Sequence, residues 1–175
     1  WFPILGTVDI QQVFHPVGFA LISHEDFDVV SIILPDVYGA QDWRPKILNR
    51  IVAAHIERSA LDMVDEPTVL GLVHVDDASS ALIDAAFQLI SAPKSVSGRI
   101  FGVDQGHRHS LRDIVEMVAD ICKCSTKINW GGYPAPGRHI SDPWEGPALP
   151  GWHPKVNLKD GIRELVECIR RERVE

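Results

Sequence analysis

Three short runs in this chain are apolar almost without interruption: "DVVSIILP" (28–35), "VLGLVHV" (69–75) and "SGRIFGVD" (97–104). A strand with one wet face alternates polar and apolar residues. A run without that alternation reads as a strand buried on both faces, as in a parallel sheet flanked by helices. Helical patterns lie between and after these runs. Residues 43–58, "WRPKILNRIVAAHIER", place Ile47, Ile51, Ala54 and Ile56 near helical spacing, as an amphipathic helix requires. Asp76 or Asp77 is placed to cap a helix over 77–90, because an Asp side chain accepts the free N–H groups of a first turn. Ser110, three residues before Asp113, opens a helix over 111–123. Asn157, with Asp160 three later, opens the last helix over 158–173. "ALDMV" (60–64) alternates and "STKINW" (125–130) is short, and both read as strands. "DVYGAQDW" (36–43) reads as a loop. Residues 131–154 hold six of the twelve prolines, so they form a long structured loop. Near the start, "HPVGFALISHEDF" (15–27) reads as a short helix that begins apolar and ends polar. Strand–helix alternation without repeat or linker predicts one α/β unit.

Composition excludes some functions. A formal net charge of -7 and a pI near 5.6 leave no broad surface for nucleic acid, which needs clustered Lys and Arg. The closing "RRER" suits the end of a helix as a solvated face. Cys122 and Cys124 are too close for an easy disulfide and lack zinc-site spacing. With Cys168 they predict a reduced compartment, the cytoplasm. No apolar run reaches the about 18 residues of a membrane span. A chain that starts at "WFPILG" is expected to be a processed product, a trimmed chain or a fragment.

Four segments, in order, resemble the extended short-chain dehydrogenase/reductase family, the NAD(P)-dependent nucleotide-sugar epimerases, dehydratases and reductases. "VVSIILPDVYGAQ" resembles the sixth strand and the Asn-Val-Tyr-Gly-Pro loop of that family. "GLVHVDDASSAL" resembles its Phe-Val-His-Val-x-Asp-Val-Ala segment. "GRIFGVDQGHRHSLRDIVEMV" is similar to the strand, glycine turn and helix that follow, and "SDPWEGPALPGWHPKVNLKDGI" to the closing segment. The resemblance implies the C-terminal part of a Rossmann-like extended short-chain dehydrogenase/reductase fold, its last parallel strands plus the small substrate-binding lobe. Residues 16–58 would be the remnant of the active-site helix, the sixth strand and the next helix. Residues 59–175 would be the substrate-binding lobe and closing helix.

The family's active-site helix reads Tyr-Gly-x-x-Lys-x-x-x-Glu. Here Gly18 and Glu25 fit, but Val17 stands at the Tyr position and Leu21 at the Lys position. Neither side chain can hold or move a proton. The glycine-rich turn that seats a dinucleotide pyrophosphate on a helix N-terminus is not in this chain. By resemblance, Ile33 and Leu70 stand where Arg residues are common, Asp36 replaces Asn, Glu145 replaces a basic residue, and Ala135 and Arg138 replace parts of Arg-Pro-Gly-Asp. The resemblance therefore implies a nucleotide-sugar-binding lobe that is not catalytic alone. NAD(P) would enter only if a partner supplied the cofactor half. The alternative is a non-catalytic interaction or scaffold subunit, a pseudoenzyme. Asp36, Tyr38 and Arg138 are the candidate substrate-binding residues, at the carboxyl end of a strand and in the closing loop. Arg44 and Lys46 are weaker phosphate candidates. His74 reads as a hydrogen-bonded strand residue, Trp152 as core, and His107, Arg108 and His109 as a polar loop. The edge of strand 28–34 is expected to be covered by another chain or a second copy, since an open apolar edge aggregates. The helix over 16–27 is expected in a dimer bundle.

Overall fold

The computed structural model describes residues 28–42, 44–65, 69–103, 106–134 and 146–173. The elements are β1 (Ser31–Ile33), β2 (Asp36–Tyr38), α1 (Ile47–Glu57), β3 (Leu61–Met63), β4 (Val69–Leu70), β5 (Leu72–His74), α2 (Val75–Ser91), α3 (Pro93–Val96), β6 (Ile100–Gly102), β7 (His109–Ser110), α4 (Leu111–Cys122), β8 (Ile128–Trp130) and α5 (Leu158–Glu172). They group into two compact units. One holds residues 28–33, Ser79–Val103 and 146–152, and the other holds most of the rest. The expected helix at 16–27, with Val17 and Leu21, lies outside the described residues.

The first unit is built on a parallel pair. β1 and β6 align with Ser31 opposite Ile100 and Ile33 opposite Gly102. Gly102 also bridges to Ala148, so β6 is flanked on both sides and β1 on one among the described residues. Phe101, Val103, Leu149 and Trp152 are buried here. The Trp152 indole N–H donates to Ser80 Oγ at 2.9 Å, which satisfies a donor that burial removes from water.

In the second unit, β2 pairs with β5 and β3 with β8, both parallel, and β4 pairs with β7 antiparallel. Three helices enclose its core. α1 buries Leu48, Ile51, Val52, Ala54 and His55, a face shifted from the expected one, with Ile47 and Ile56 only partly buried. His55 is tolerated because its Nδ1 lies 2.8 Å from the Ile51 carbonyl oxygen. α4 starts as expected. Ser110 Oγ accepts from the Asp113 N–H at 3.1 Å, and the Asp113 carboxylate accepts from the Ser110 N–H at 2.9 Å. Leu111, Ile114, Val118 and Cys122 form its buried stripe. At α5, Asn157 Oδ1 accepts from the Lys159 N–H at 2.9 Å, and Leu158, Ile162, Leu165 and Val166 face inward.

Three local expectations are corrected. The run 28–35 is not one strand. It is β1, a break at Leu34–Pro35, and β2, which takes in residues expected to be loop. Proline cannot donate to a ladder and ends β1's pairing. Residues 69–75 likewise divide at Gly71 into β4 and β5. Asp76 and Asp77 are not caps. α2 begins at Val75, and both lie in its first turn, where a negative charge still suits the helix dipole.

Candidate functional site

In open parallel sheets, ligands sit beyond the carboxyl ends of the strands. The β2–β5 pair presents such an end, with Tyr38 opposite His74 in register. Gly39 follows Tyr38. A Cβ there would lie 2.6 Å from Val75 Cγ1 and 3.3 Å from Val75 Cβ, so only glycine lets the chain pass the first residue of α2. Beyond Gly39 lies an open depression of about 430 Å³, lined by Val37, Tyr38, Gly39, Gln41, Asp42 and Arg44, among others.

Asp42 organises this rim. Its carboxylate accepts from Arg44 Nε at 2.7 Å and Nη2 at 2.9 Å, and from the Arg44 backbone N–H at 3.2 Å. Lys46 Nζ is 3.4 Å away, and Lys46 also donates to the Val37 carbonyl oxygen. Asn49 donates to the Asp42 carbonyl oxygen. The Arg44 hydrogen bond is the main reason that the Asp42 carboxyl is held down at about 2. Asp42 and Arg44 thus line the depression as an ion pair, with Lys46 as a second cation beside the carboxylate.

Under the rim lies a buried polar group. Tyr38 and His74 are both 2% exposed, with ring centroids 5.4 Å apart in an edge-on contact. His74 Nδ1 accepts from the Asp76 N–H at 3.3 Å, and His74 Nε2 is 3.6 Å from the Glu164 carboxylate, beyond hydrogen-bond reach. The Tyr38 hydroxyl has no hydrogen-bond partner among the described residues. It lies against Gly161 of α5, where an added Cβ would lie 2.9 and 3.0 Å from the Tyr38 ring carbons Cε2 and Cζ. Burial, then the carboxylates of Asp77, Glu164 and Asp160, push the Tyr38 phenol well above its ordinary value. It stays protonated at neutral pH, and among the described residues no group accepts its proton. Asp77, buried, accepts from the Lys155 N–H at 2.9 Å and the Val156 N–H at 3.0 Å, and so holds the segment that leads into α5.

The candidates therefore fall in different places. Asp36 is exposed and opens β2 at its amino end, three residues after Ile33, and is not among the residues that line the depression. Tyr38 lines the depression, but its hydroxyl is in the core. Arg138 lies outside the described residues, as do Ala135 and Glu145. Arg44 and Lys46 reach the rim, engaged by Asp42. His74 is a hydrogen-bonded buried residue and Trp152 is core. His109 belongs to β7, and His107 is exposed. Sequence reasoning misses the organising residue, Asp42, whose signal is the spacing Asp42, Arg44, Lys46. No cluster of three or more metal-ligating side chains occurs among the described residues. No helix of the described residues is long and apolar enough to cross a membrane.

A dinucleotide needs a glycine-rich turn between a strand and a helix. Among the described residues, β5 runs directly into α2 and β7 into α4, and the loop from β2 to α1 holds the single glycine Gly39. None of these three connections holds a glycine-rich turn.

Parallel pairs leading into helices, with a depression at a strand's carboxyl end, define the C-terminal part of a Rossmann-like, extended short-chain dehydrogenase/reductase fold. Solved structures that share it include nucleotide-sugar epimerases. The UDP-glucuronic acid 4-epimerase of Bacillus cereus, in complex with UDP-glucuronic acid and NAD, superposes with a TM-score of 0.67 at 20% identity, over 87% of this chain and 49% of its own. The UDP-glucose 4-epimerase of Thermotoga maritima, with UDP-glucose, gives 0.69 at 16% identity, over 92% and 52%. That of Thermus thermophilus, with NAD, gives 0.66 at 24% identity, over 90% and 51%. The chain thus spans about half the length of these structures, and what it shares with them is the fold. Neither a family model nor a curated protein matches the sequence.

Proposed function

We propose that this chain is the nucleotide-sugar-binding lobe of an epimerase-, dehydratase- or reductase-like protein, and that it is not catalytic by itself. One observation carries the reading. Its fold follows about half of the UDP-sugar epimerase structures, and a depression rimmed by the Asp42–Arg44 pair lies where such sheets receive ligands. The nucleotide diphosphate would meet Arg138 in the closing loop, while the Asp36 carboxylate would accept from hydroxyl groups of the sugar nucleotide and Tyr38 would contribute its backbone. NAD(P) would bind only where a partner supplied a glycine-rich half, and that partner would run its last strand along the open edge of β1. The free cysteines are compatible with a reducing cytoplasm. Val17 and Leu21, in place of a Tyr and a Lys, favour a second reading, in which the lobe persists as an interaction subunit without chemistry.

The test is calorimetric titration of the chain with UDP-glucose and UDP-glucuronic acid, beside Arg138→Ala. A charge-assisted Arg–phosphate bond contributes about 1.5–3 kcal/mol, so its loss should weaken binding about 10–150-fold. Equal affinity would remove Arg138 from the site. No binding to the parent chain would leave the interaction-subunit reading.

A further inference from the structure

A second hollow, of about 290 Å³, lies within the second unit, between the end of α4 and one face of α5. That volume is at the lower end for ligand pockets, so a small molecule is what fits it. On α5, Lys159, Arg163, Val166, Glu167 and Arg170 stand at i, i+4, i+7, i+8 and i+11, which is one side of a helix. α4 contributes Asp120 and Ile121, and Lys123 follows at its C-cap. Val166 is buried and Ile121 partly so, which gives the hollow an apolar base beneath charged walls.

Four of the eight lining residues are cations, in a chain with 17 Lys and Arg and a net charge of -7. Two of the four are used by the fold. The Arg170 guanidinium donates to the Cys122 carbonyl oxygen at 3.2 Å and so satisfies the end of α4, and Arg163 pairs with Asp160. The other two are not. The side chains of Lys123 and Lys159 make no hydrogen bond or ion pair among the described residues, and neither do the carboxylates of Asp120 and Glu167. Opposite charges around one small space therefore stay apart instead of neutralising each other. The ammonium groups offer only donors and the carboxylates only acceptors. A ligand that satisfies both carries an anion and hydroxyl groups. Phosphate is the anion that takes charge-assisted bonds from two ammonium groups at once.

We propose that this hollow binds a small phosphorylated polyol of the sugar-phosphate class. Lys123 and Lys159 hold its phosphate, and Asp120 and Glu167 accept from its hydroxyl groups. None of these residues lines the depression beyond Gly39, and the inference does not rest on the nucleotide-sugar reading.

Titration of the isotope-labelled full chain with ribose 5-phosphate, followed by amide NMR, should shift the signals of residues 120–123 and 159–170. The shifts should saturate at about 1 mM ligand or below. Ribose, without the phosphate, should cause no saturable shift. Sulfate, without hydroxyl groups, should bind more weakly than ribose 5-phosphate. Lys123→Gln and Lys159→Gln should each weaken binding about 10-fold or more by removing a charge-assisted bond. Both side chains are exposed, so thermal unfolding should be unchanged in either variant. Lys94→Gln removes the same charge from an exposed site in the first unit and should bind as the parent chain does. The inference would be overturned by the absence of a saturable shift, by shifts centred on residues 37–44, or by ribose or sulfate binding as tightly as ribose 5-phosphate. Lysine variants at 123 and 159 that bind as the parent does, or a Lys94→Gln chain weakened as much as they are, would overturn it equally.

Discussion

The contact between Tyr38 and Gly161 allows a prediction with a defined sign. Tyr38 is buried with its hydroxyl unpartnered among the described residues. A buried polar group without a hydrogen bond costs about 1–3 kcal/mol, so Tyr38→Phe should be neutral or stabilising by about 1 kcal/mol. At this chain length that corresponds to a rise in Tm of about 2–4 °C. Gly161→Ala has two opposed effects. Replacing glycine inside a helix ordinarily gains about 0.5–1 kcal/mol. Here the new Cβ would lie 2.9 and 3.0 Å from two Tyr38 ring carbons, about half an ångström or more inside ordinary carbon contact. Overpacking of a core costs about 1–3 kcal/mol, so the net change should be a destabilisation of about 1 kcal/mol. The hydroxyl is the atom nearest the new Cβ. Tyr38→Phe should therefore relieve Gly161→Ala, and the double variant should be more stable than the sum of the singles by about 0.5–1 kcal/mol. Urea unfolding followed by circular dichroism, on the four members of the cycle, measures this. A Tyr38→Phe chain destabilised by more than about 1 kcal/mol would refute the reasoning, because the hydroxyl would then be making a bond that matters.

Other expectations follow from the rim and the caps. Asp42 has a folded pKa of about 2, below its unfolded value, so the stability that it adds is present above about pH 4 and is lost as pH falls through its folded value. Asp42→Asn should flatten acid unfolding in that window and cost at most about 1 kcal/mol at pH 7, as for an exposed pair. An unchanged acid profile would contradict the pairing with Arg44. Gly39→Ala should destabilise by about 1–3 kcal/mol through contact with Val75, and Val75→Ala should restore much of the loss, as thermal unfolding of the pair would reveal. Ser110→Ala should cost about 1 kcal/mol in urea unfolding by removing one half of the reciprocal cap of α4, and Ser110→Asp should retain most of the stability.

What can be read from the sequence is what depends on near neighbours. The Ser110–Asp113 and Asn157 caps span three residues or fewer, and their chemistry is visible in the chain. The strands near 61–63, 72–74, 100–102 and 128–130 are visible as apolar or alternating runs. Pairings across long separations are not. Asp77 looks like a cap until Lys155 and Val156 come to it from the far end of the chain. "DVVSIILP" looks like one strand because nothing local says that residues after Pro35 pair with a different partner, β5. Tyr38 looks like a ligand contact from its place after a strand, and its burial against Gly161 is set by α5, more than a hundred residues away. Asp42 escapes notice because the spacing Asp42, Arg44, Lys46 gains its meaning only when both cations turn back on the acid.

The proposed function gives the chain the sugar-nucleotide side of an epimerase-like fold and leaves the cofactor side to a partner. Paired titration calorimetry of the purified chain tests it most directly, with UDP-glucose in one experiment and NAD in the other. Saturable heat with UDP-glucose and none with NAD is the expected result. Tight binding of NAD, or binding of neither ligand, would contradict the claim.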